Sequence, residues 1–404
     1  VQSFLQFLLR FAIRGSILAT LPASKSALLA DSMNKNFSLY LDVVRFFAAI
    51  LVVIAHFCQL GFVSEQAKQF LPQCGREAVV IFFVLSGFVI AYTAAEKKAN
   101  LRQYAVARCA RIYSAALPIM LATLVAVTLA TLVFGKQVSG SYQLSKIYIY
   151  LPMHLLFTGE LWNLSQTPPW LVPYWSLGYE VWYYVLFGAM LYARGKVRIA
   201  LVAALLLIMG HKLWLLLPVW MSGVYLYRYQ KPLRMRVDQA RLAWLLTILA
   251  LVLYKISGAD DWLRTLGNSA WPFANLKLGS ADRYLADYAV CVLVYLNFLF
   301  ARHAELTQIE PVSTHIRRVA AYTFTLYLVH APVMGIWRAF YNHDNANWLD
   351  IGALAGCIGL ACYLFGFVTE RRRTWFQSAF DKLLSIAIRH FDAIRVTRKH
   401  PASA

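Results

Sequence analysis

The sequence predicts an all-α polytopic integral membrane protein with about ten transmembrane helices and both termini cytosolic. Composition is the first reason. Of 404 residues, 60% are hydrophobic and 14% charged, whereas a soluble domain is about one-quarter charged. The second is the recurrence of apolar runs approaching the ~20 residues that cross a bilayer as a helix; the short segments of alternating polarity that build a β-barrel are not the dominant pattern. The third is where the charge falls. The net charge of +20 sits in short loops, "EKKANLRQYAVARCAR", "ARGKVR", "RYQKPLRMR", "RR" at 317–318 and "ERRR" at 370–373. The loops between them, such as "VSEQAKQFLPQCGRE", are poorer in Lys and Arg. That alternation is the positive-inside rule, which places the basic loops in the cytosol. Lipid headgroups, not nucleic acid, are the expected partners of this charge.

In order, the predicted spans are 40–62, 78–95, 112–134, 175–193, 197–210, 213–227, 241–257, 283–301, 319–340 and 349–369. The fifth and sixth are the shortest. Ten crossings return the chain to its starting side, in agreement with the loop charges. Between the third and fourth spans, segment 136–174 contains "KIYIYLPMHLLFTGELWNLSQTPPWLVP". Pro152, Gly159 and "TPPW" break it, so an interfacial or re-entrant outer lid rich in aromatics is expected.

The membrane domain covers 38–370, flanked by a 1–37 extension and a 371–404 tail. The chain opens on Val1, and Met33 is read as the start of translation, although Arg10 and Arg14 within the modest apolar stretch 4–21 also fit a signal peptide. The tail, "RRRTWFQSAFDKLLSIAIRHFDAIRVTRKH", is basic and amphipathic and is expected along the inner membrane surface. The six cysteines show no CxxC pair and no zinc-ligand spacing, so no metal site is expected.

Chemistry is suggested first by "LYLDVVRFFAAILVVIAHFC", residues 39–58. An ionisable group in hydrocarbon costs roughly 3 kcal/mol or more unless it meets a partner or a wet cavity. Asp42, Arg45 and His56 share one stripe, because eleven residues turn a helix to within about 20° of the same azimuth. Asp42 pairs with Arg45 one turn away. His56 lies roughly 16 Å deeper, too far for Asp42 to orient it, and a neutral imidazole there suits a general base. A hydrogen bond to a neighbouring helix explains such a histidine equally well.

In "CGREAVVIFFVLSGFVIAYTAAEKK" the Ser86-Gly87 pair lets a backbone or thin ligand approach. A Ser hydroxyl in a membrane helix usually bonds its own backbone, which argues against Ser86 as nucleophile. In "RQYAVARCARIY", Arg102, Arg108 and Arg111 would meet a phosphate-bearing cosubstrate first, with Arg108 and Arg111 on one face. Membrane anchoring accounts for most clusters of this kind. In "PYWSLGYEVWYYVLFGAMLY", Glu180 requires a partner or a proton, while Trp175 and its aromatic neighbours suit an interface belt or a sugar platform. His330 stands alone in an apolar span. Trp175, Ser86 and His330 are the candidates for contacting substrate.

Together these motifs resemble the membrane-bound acyltransferase family 3, bacterial O-acyltransferases of surface polysaccharides and other glycans. The resemblance runs from about 38 to 370. It rests on "LDVVRFFAAILVVIAHF", "VVIFFVLSGFVIAY", "ARCARIY" and "WSLGYEVWYY", in that order. Arg45 and His56 meet the family's Arg-(ten residues)-His spacing. The resemblance implies that His56 is the catalytic histidine, that Arg45 is essential at the cytosolic side, that Arg108 and Arg111 hold an acyl-CoA donor, and that Glu180 belongs to the outer part of the site. Two departures are Ser114 with Pro delayed to 118, and Ala78 where the family often has Gly.

The expected function is transfer of an acyl group, acetyl by default, from cytosolic acyl-CoA to a hydroxyl of an extracytoplasmic or lipid-linked glycan. His56 would act as base or acyl relay in the bacterial cytoplasmic (inner) membrane, with no permanently bound cofactor. The competing reading is a transporter or flippase for a glycan or anionic substrate. Against it, the sequence shows no inverted repeat and no matching pair of broken helices.

Overall fold

The computed structural model describes residues 35–136, 144–228 and 235–399. Almost all of the expected 1–37 extension, part of segment 136–174 and part of the "RYQKPLRMR" loop lie outside these residues. All regular structure among the described residues is helical. In chain order the helices are α1 (Lys35–Gln59), α2 (Glu65–Lys68), α3 (Gly75–Glu96), α4 (Leu101–Leu132), α5 (Ile147–Leu155), α6 (Tyr174–Tyr192), α7 (Gly195–Met209) and α8 (His211–Arg228). They continue as α9 (Val237–Ile256), α10 (Ala259–Ser269), α11 (Tyr284–His303), α12 (Ser313–Ala320), α13 (Thr323–Phe340), α14 (Trp348–Val368) and α15 (Arg373–Lys399).

Each expected span coincides with a helix, but not each helix is a span. Among the described residues, α1, α3, α4, α9, α11 and α14 are the six long and apolar enough to cross a membrane. Counting each of two bent pairs as one span gives up to eight, against the ten expected. The fifth and sixth expected spans form one such pair, α7 and α8, bent by 118°. Gly210 makes the corner. Its φ is +78°, and a Cβ there would lie 2.9 Å from the ring and backbone of Trp162. The second pair, bent by 45°, joins residues 307–320 to α13.

The helix carrying Arg102, Arg108 and Arg111 starts eleven residues before the expected third span. Asn100 and Gln103 form a capping box that satisfies its first N–H groups, so the basic stretch is the first half of α4 and not a loop. The tail helix, α15, packs along that half of α4. Arg102 donates to the Asp381 carboxylate (2.9 Å) and the Ser385 hydroxyl (2.6 Å), and Phe380 meets Tyr113 at 5.4 Å between ring centroids.

The centre of the bundle is α3, held between α1 and α8. Two glycines bring the α3 and α8 backbones into contact: Gly87 lies against the Trp220 carbonyl, and Gly223 against that of Val84. Small residues permit this approach, and dispersion between the backbones replaces the hydrophobic drive that lipid cannot supply. Overpacking typically costs about 1–3 kcal/mol, and more against backbone. Gly87→Leu is therefore expected to remove the monodisperse peak in detergent size-exclusion chromatography. Gly356→Leu on α14 should leave it intact, because a Cβ there meets nothing within 4 Å.

Opposite the arginine end, buried ion pairs tie the connections to the bundle. Lys212 at the start of α8 meets Glu160 at 3.1 Å, and Ser280 donates to the same carboxylate (2.7 Å). Burial pushes the Glu160 carboxyl up, against the pull of Lys212. Arg76 and Asp287 form a two-pronged pair (2.8 and 2.5 Å) linking α3 to α11.

Candidate active site

The polar stripe of α1 faces two different environments. At its arginine end, Asp42 and Arg45 form the expected pair, 2.7 Å apart. Both line a cavity of about 130 Å³ shared with Ser86, Arg108, Arg111, Glu180 and Tyr184. Room for roughly four waters makes it a narrow slot. The helices deliver these groups by simple periodicity. Arg108 and Arg111 stand one turn apart on α4, as do Glu180 and Tyr184 on α6.

Ser86 does not bond its own backbone. Its hydroxyl donates to Glu180 Oε1 (2.5 Å), accepts from Trp220 Nε1 (3.2 Å) and meets the Tyr184 hydroxyl at 3.0 Å. Tyr184 also donates to Glu180, so two hydroxyls fix one carboxylate oxygen. Arg108 lies over the Tyr184 ring (5.8 Å) and Arg111 over Phe324 (5.9 Å). Glu180 therefore lines the same cavity as Arg45, Arg108 and Arg111.

Two further groups come from the basic run at 370–373. Glu370, between α14 and α15, is pushed up by burial against the pull of Arg111, Arg373 and Arg45. Arg373, the first residue of α15, is pushed down by burial and by Arg111 and Arg108. Arg45, Arg108 and Arg111 line the cavity with Asp42 and Glu180, and the charges of Glu370 and Arg373 act on these arginines from beyond its lining. Nε of Arg45, of Arg108 and of Arg373 is buried without a hydrogen-bond partner among the described residues. Buried donors without partners are costly, and an anion with several acceptor oxygens would satisfy them. Arg102 is not part of it, being engaged by Asp381 and Ser385.

His56 is elsewhere. It meets His330 of α13, with His330 Nε2 3.3 Å from His56 Nδ1 and ring centroids 4.9 Å apart. Each Nδ1 also faces a backbone carbonyl one turn earlier, Val52 at 2.9 Å for His56 and Leu326 at 3.0 Å for His330. With both imidazoles neutral, one assignment of protons satisfies these contacts. His330 carries its proton on Nδ1 and accepts at Nε2. His56 then also carries its proton on Nδ1, shared between Val52 and His330, which leaves His56 Nε2 with a free lone pair.

Neither histidine lines the arginine cavity. Its lining includes Phe82, Ser176 and Tyr327. The Tyr327 hydroxyl bonds Ser176 (2.6 Å), its ring meets Phe82 at 5.4 Å, and His330 lies one turn beyond, 6.4 Å between centroids. Trp175 lies outside the cavity, with Arg76 over its ring at 4.9 Å.

A family model described as an acyltransferase domain matches residues 38–367, most of the chain. No curated protein and no solved structure matches.

Proposed function

Since the chain belongs to the acyltransferase 3 family and carries several membrane-length apolar helices, we propose that it is a multi-pass membrane O-acyltransferase taking its acyl group from acyl-CoA and passing it to a hydroxyl of a glycan or lipid-linked sugar. The observation that carries the reading is the pairing of a free imidazole lone pair on His56 with an arginine cavity at the other end of the same helical stripe. The donor's phosphates occupy Arg45, Arg108, Arg111 and Arg373 at the cytosolic side of the inner membrane. Its slender arm rises past Tyr327 toward the histidines, and the acceptor arrives from the opposite side.

In the reaction His56 Nε2 removes the acceptor hydroxyl proton as the oxygen attacks the thioester carbonyl. The tetrahedral intermediate collapses, the C–S bond breaks, and the imidazolium returns its proton to the departing thiolate. His330 accepts from His56 Nδ1–H and stabilises the imidazolium formed in between. An acyl-histidine relay uses the same lone pair as nucleophile. Base catalysis typically supplies 10²–10⁴-fold, so positioning supplies much of the remainder.

The test is transfer of label from acetyl-CoA to the glycan fraction of membranes expressing the chain, against membranes without it. Absence of label transfer and of thiol release with any acyl-CoA offered would sink the reading. Within it, Arg373→Gln removes one donor-side cation far from the histidines. The expected result is about a tenfold rise in KM for acyl-CoA with kcat unchanged, the lower end for a hydrogen bond to a charged group. An equal fall in kcat would place Arg373 outside donor binding.

A further inference from the structure

A larger cavity borders that site, sharing Thr323 with its lining and Glu370 with its charged cluster. It is a groove of about 1000 Å³ between α1 and α14, floored by α13. Its sides are apolar, with Ile50 and Ile54 facing Ile351 and Ile358. Charge enters at one end only, the arginine end of the bundle, where Arg318, Glu370 and Arg371 line the mouth. We infer that this groove binds a single glycerophospholipid with an anionic phosphate headgroup, the phosphate held by Arg318 and Arg371 and the tails running along α14 toward Trp348.

Charge selects the headgroup. Glu370 already faces Arg111, Arg373 and Arg45, so the mouth's uncompensated charge is that of its two arginines. Arg371 is pre-positioned: it donates to the Tyr322 hydroxyl (3.1 Å) and lies over Phe367 at 4.2 Å. The Tyr322 proton and the remaining guanidinium donors are then available to phosphate oxygens, and guanidinium suits phosphate geometry. From Tyr363 to Trp348 the α14 wall covers fifteen residues, about 22 Å, longer than the half of the ~30 Å hydrocarbon core that one leaflet's tails fill, so the tails occupy the part of the groove nearest its charged mouth. There is also open space on the wall, since a Cβ added at Gly359 meets nothing within 4 Å.

The inference does not depend on the acyl-transfer reading and is tested by binding alone. The full chain is delipidated, reconstituted in phosphatidylcholine nanodiscs doped with phosphatidylglycerol, and its retained lipid measured by native mass spectrometry. One phosphatidylglycerol per chain should be retained in preference to phosphatidylcholine. The Arg318→Gln/Arg371→Gln double variant should lower that preference about tenfold or more, as expected for lost charge-assisted bonds. Gly359→Phe, which fills the groove and leaves both arginines, should lower it as well. Both variants should melt like the wild type in phosphatidylcholine alone. Equal retention of the two lipids, or a preference unchanged in both variants, would overturn the site. Stronger retention of polyprenyl phosphate, or a dimer abolished by Gly359→Phe, would overturn this occupant.

Discussion

Alanine at His56 is expected to abolish measurable acyl transfer while acyl-CoA still binds. The substitution removes the one group at the histidine pair with a free lone pair and leaves the arginine cavity intact. Loss of the general base alone costs 10²–10⁴-fold, and loss of the surface that positions the acceptor adds to it. The comparison with His330 is the sharper test. His56 Nδ1–H is shared between the Val52 carbonyl at 2.9 Å and His330 Nε2 at 3.3 Å. When His330 is removed, the shorter bond still holds the tautomer. His330→Ala should therefore cost only about five- to tenfold in kcat, the worth of one ordinary hydrogen bond, and should move the acidic limb of the pH–rate profile. Initial rates of labelled acetyl transfer at matched membrane expression, with CoA binding measured in parallel, distinguish the outcomes. Full activity in His56→Ala would remove it as catalyst. A His330→Ala loss as deep as that of His56→Ala would instead make the two a single catalytic unit.

Arg45→Gln is the second large effect, a rise in acyl-CoA KM of about 10–100-fold, as expected for a charge-assisted phosphate contact. The pair with Asp42 must be separated from the anion site. Both partners are between one-fifth and one-third exposed, so the ion pair itself contributes little to stability, of order 1 kcal/mol or less. Were Arg45 present only to pair Asp42, Arg45→Gln and Asp42→Asn would behave alike. If the guanidinium serves a donor phosphate, Asp42→Asn frees it and donor affinity should hold or improve. Isothermal titration of CoA into the purified variants reads the sign directly. Matching losses in both variants would withdraw Arg45 from the donor site.

Several of these groups were legible one at a time. The stripe on α1 and the Asp42–Arg45 pair follow from helical spacing, which is local. Gly87 was readable as a point of close approach, though not that the Trp220 carbonyl fills it. The start of α4 carried an unused signal, the Asn100–Gln103 capping box, and reading the charge run as a loop hid it. Arg373 was hidden in "ERRR" for the same reason, because charge runs at membrane edges usually serve as anchors.

The sequence by itself determined that this is an apolar helical membrane protein, roughly where its apolar helices lie, and which residues could not be left facing lipid. Composition and 3.6-residue periodicity are properties of neighbours in the chain, and the cost of a charge in hydrocarbon acts on each helix separately. Only the tertiary structure decided partners. His56 meets a histidine 274 positions away, Ser86 a carboxylate 94 away, and Arg102 an aspartate 279 away that takes it out of the site. No local rule fixes such meetings, because they depend on the order in which helices pack and on where small residues let two backbones touch.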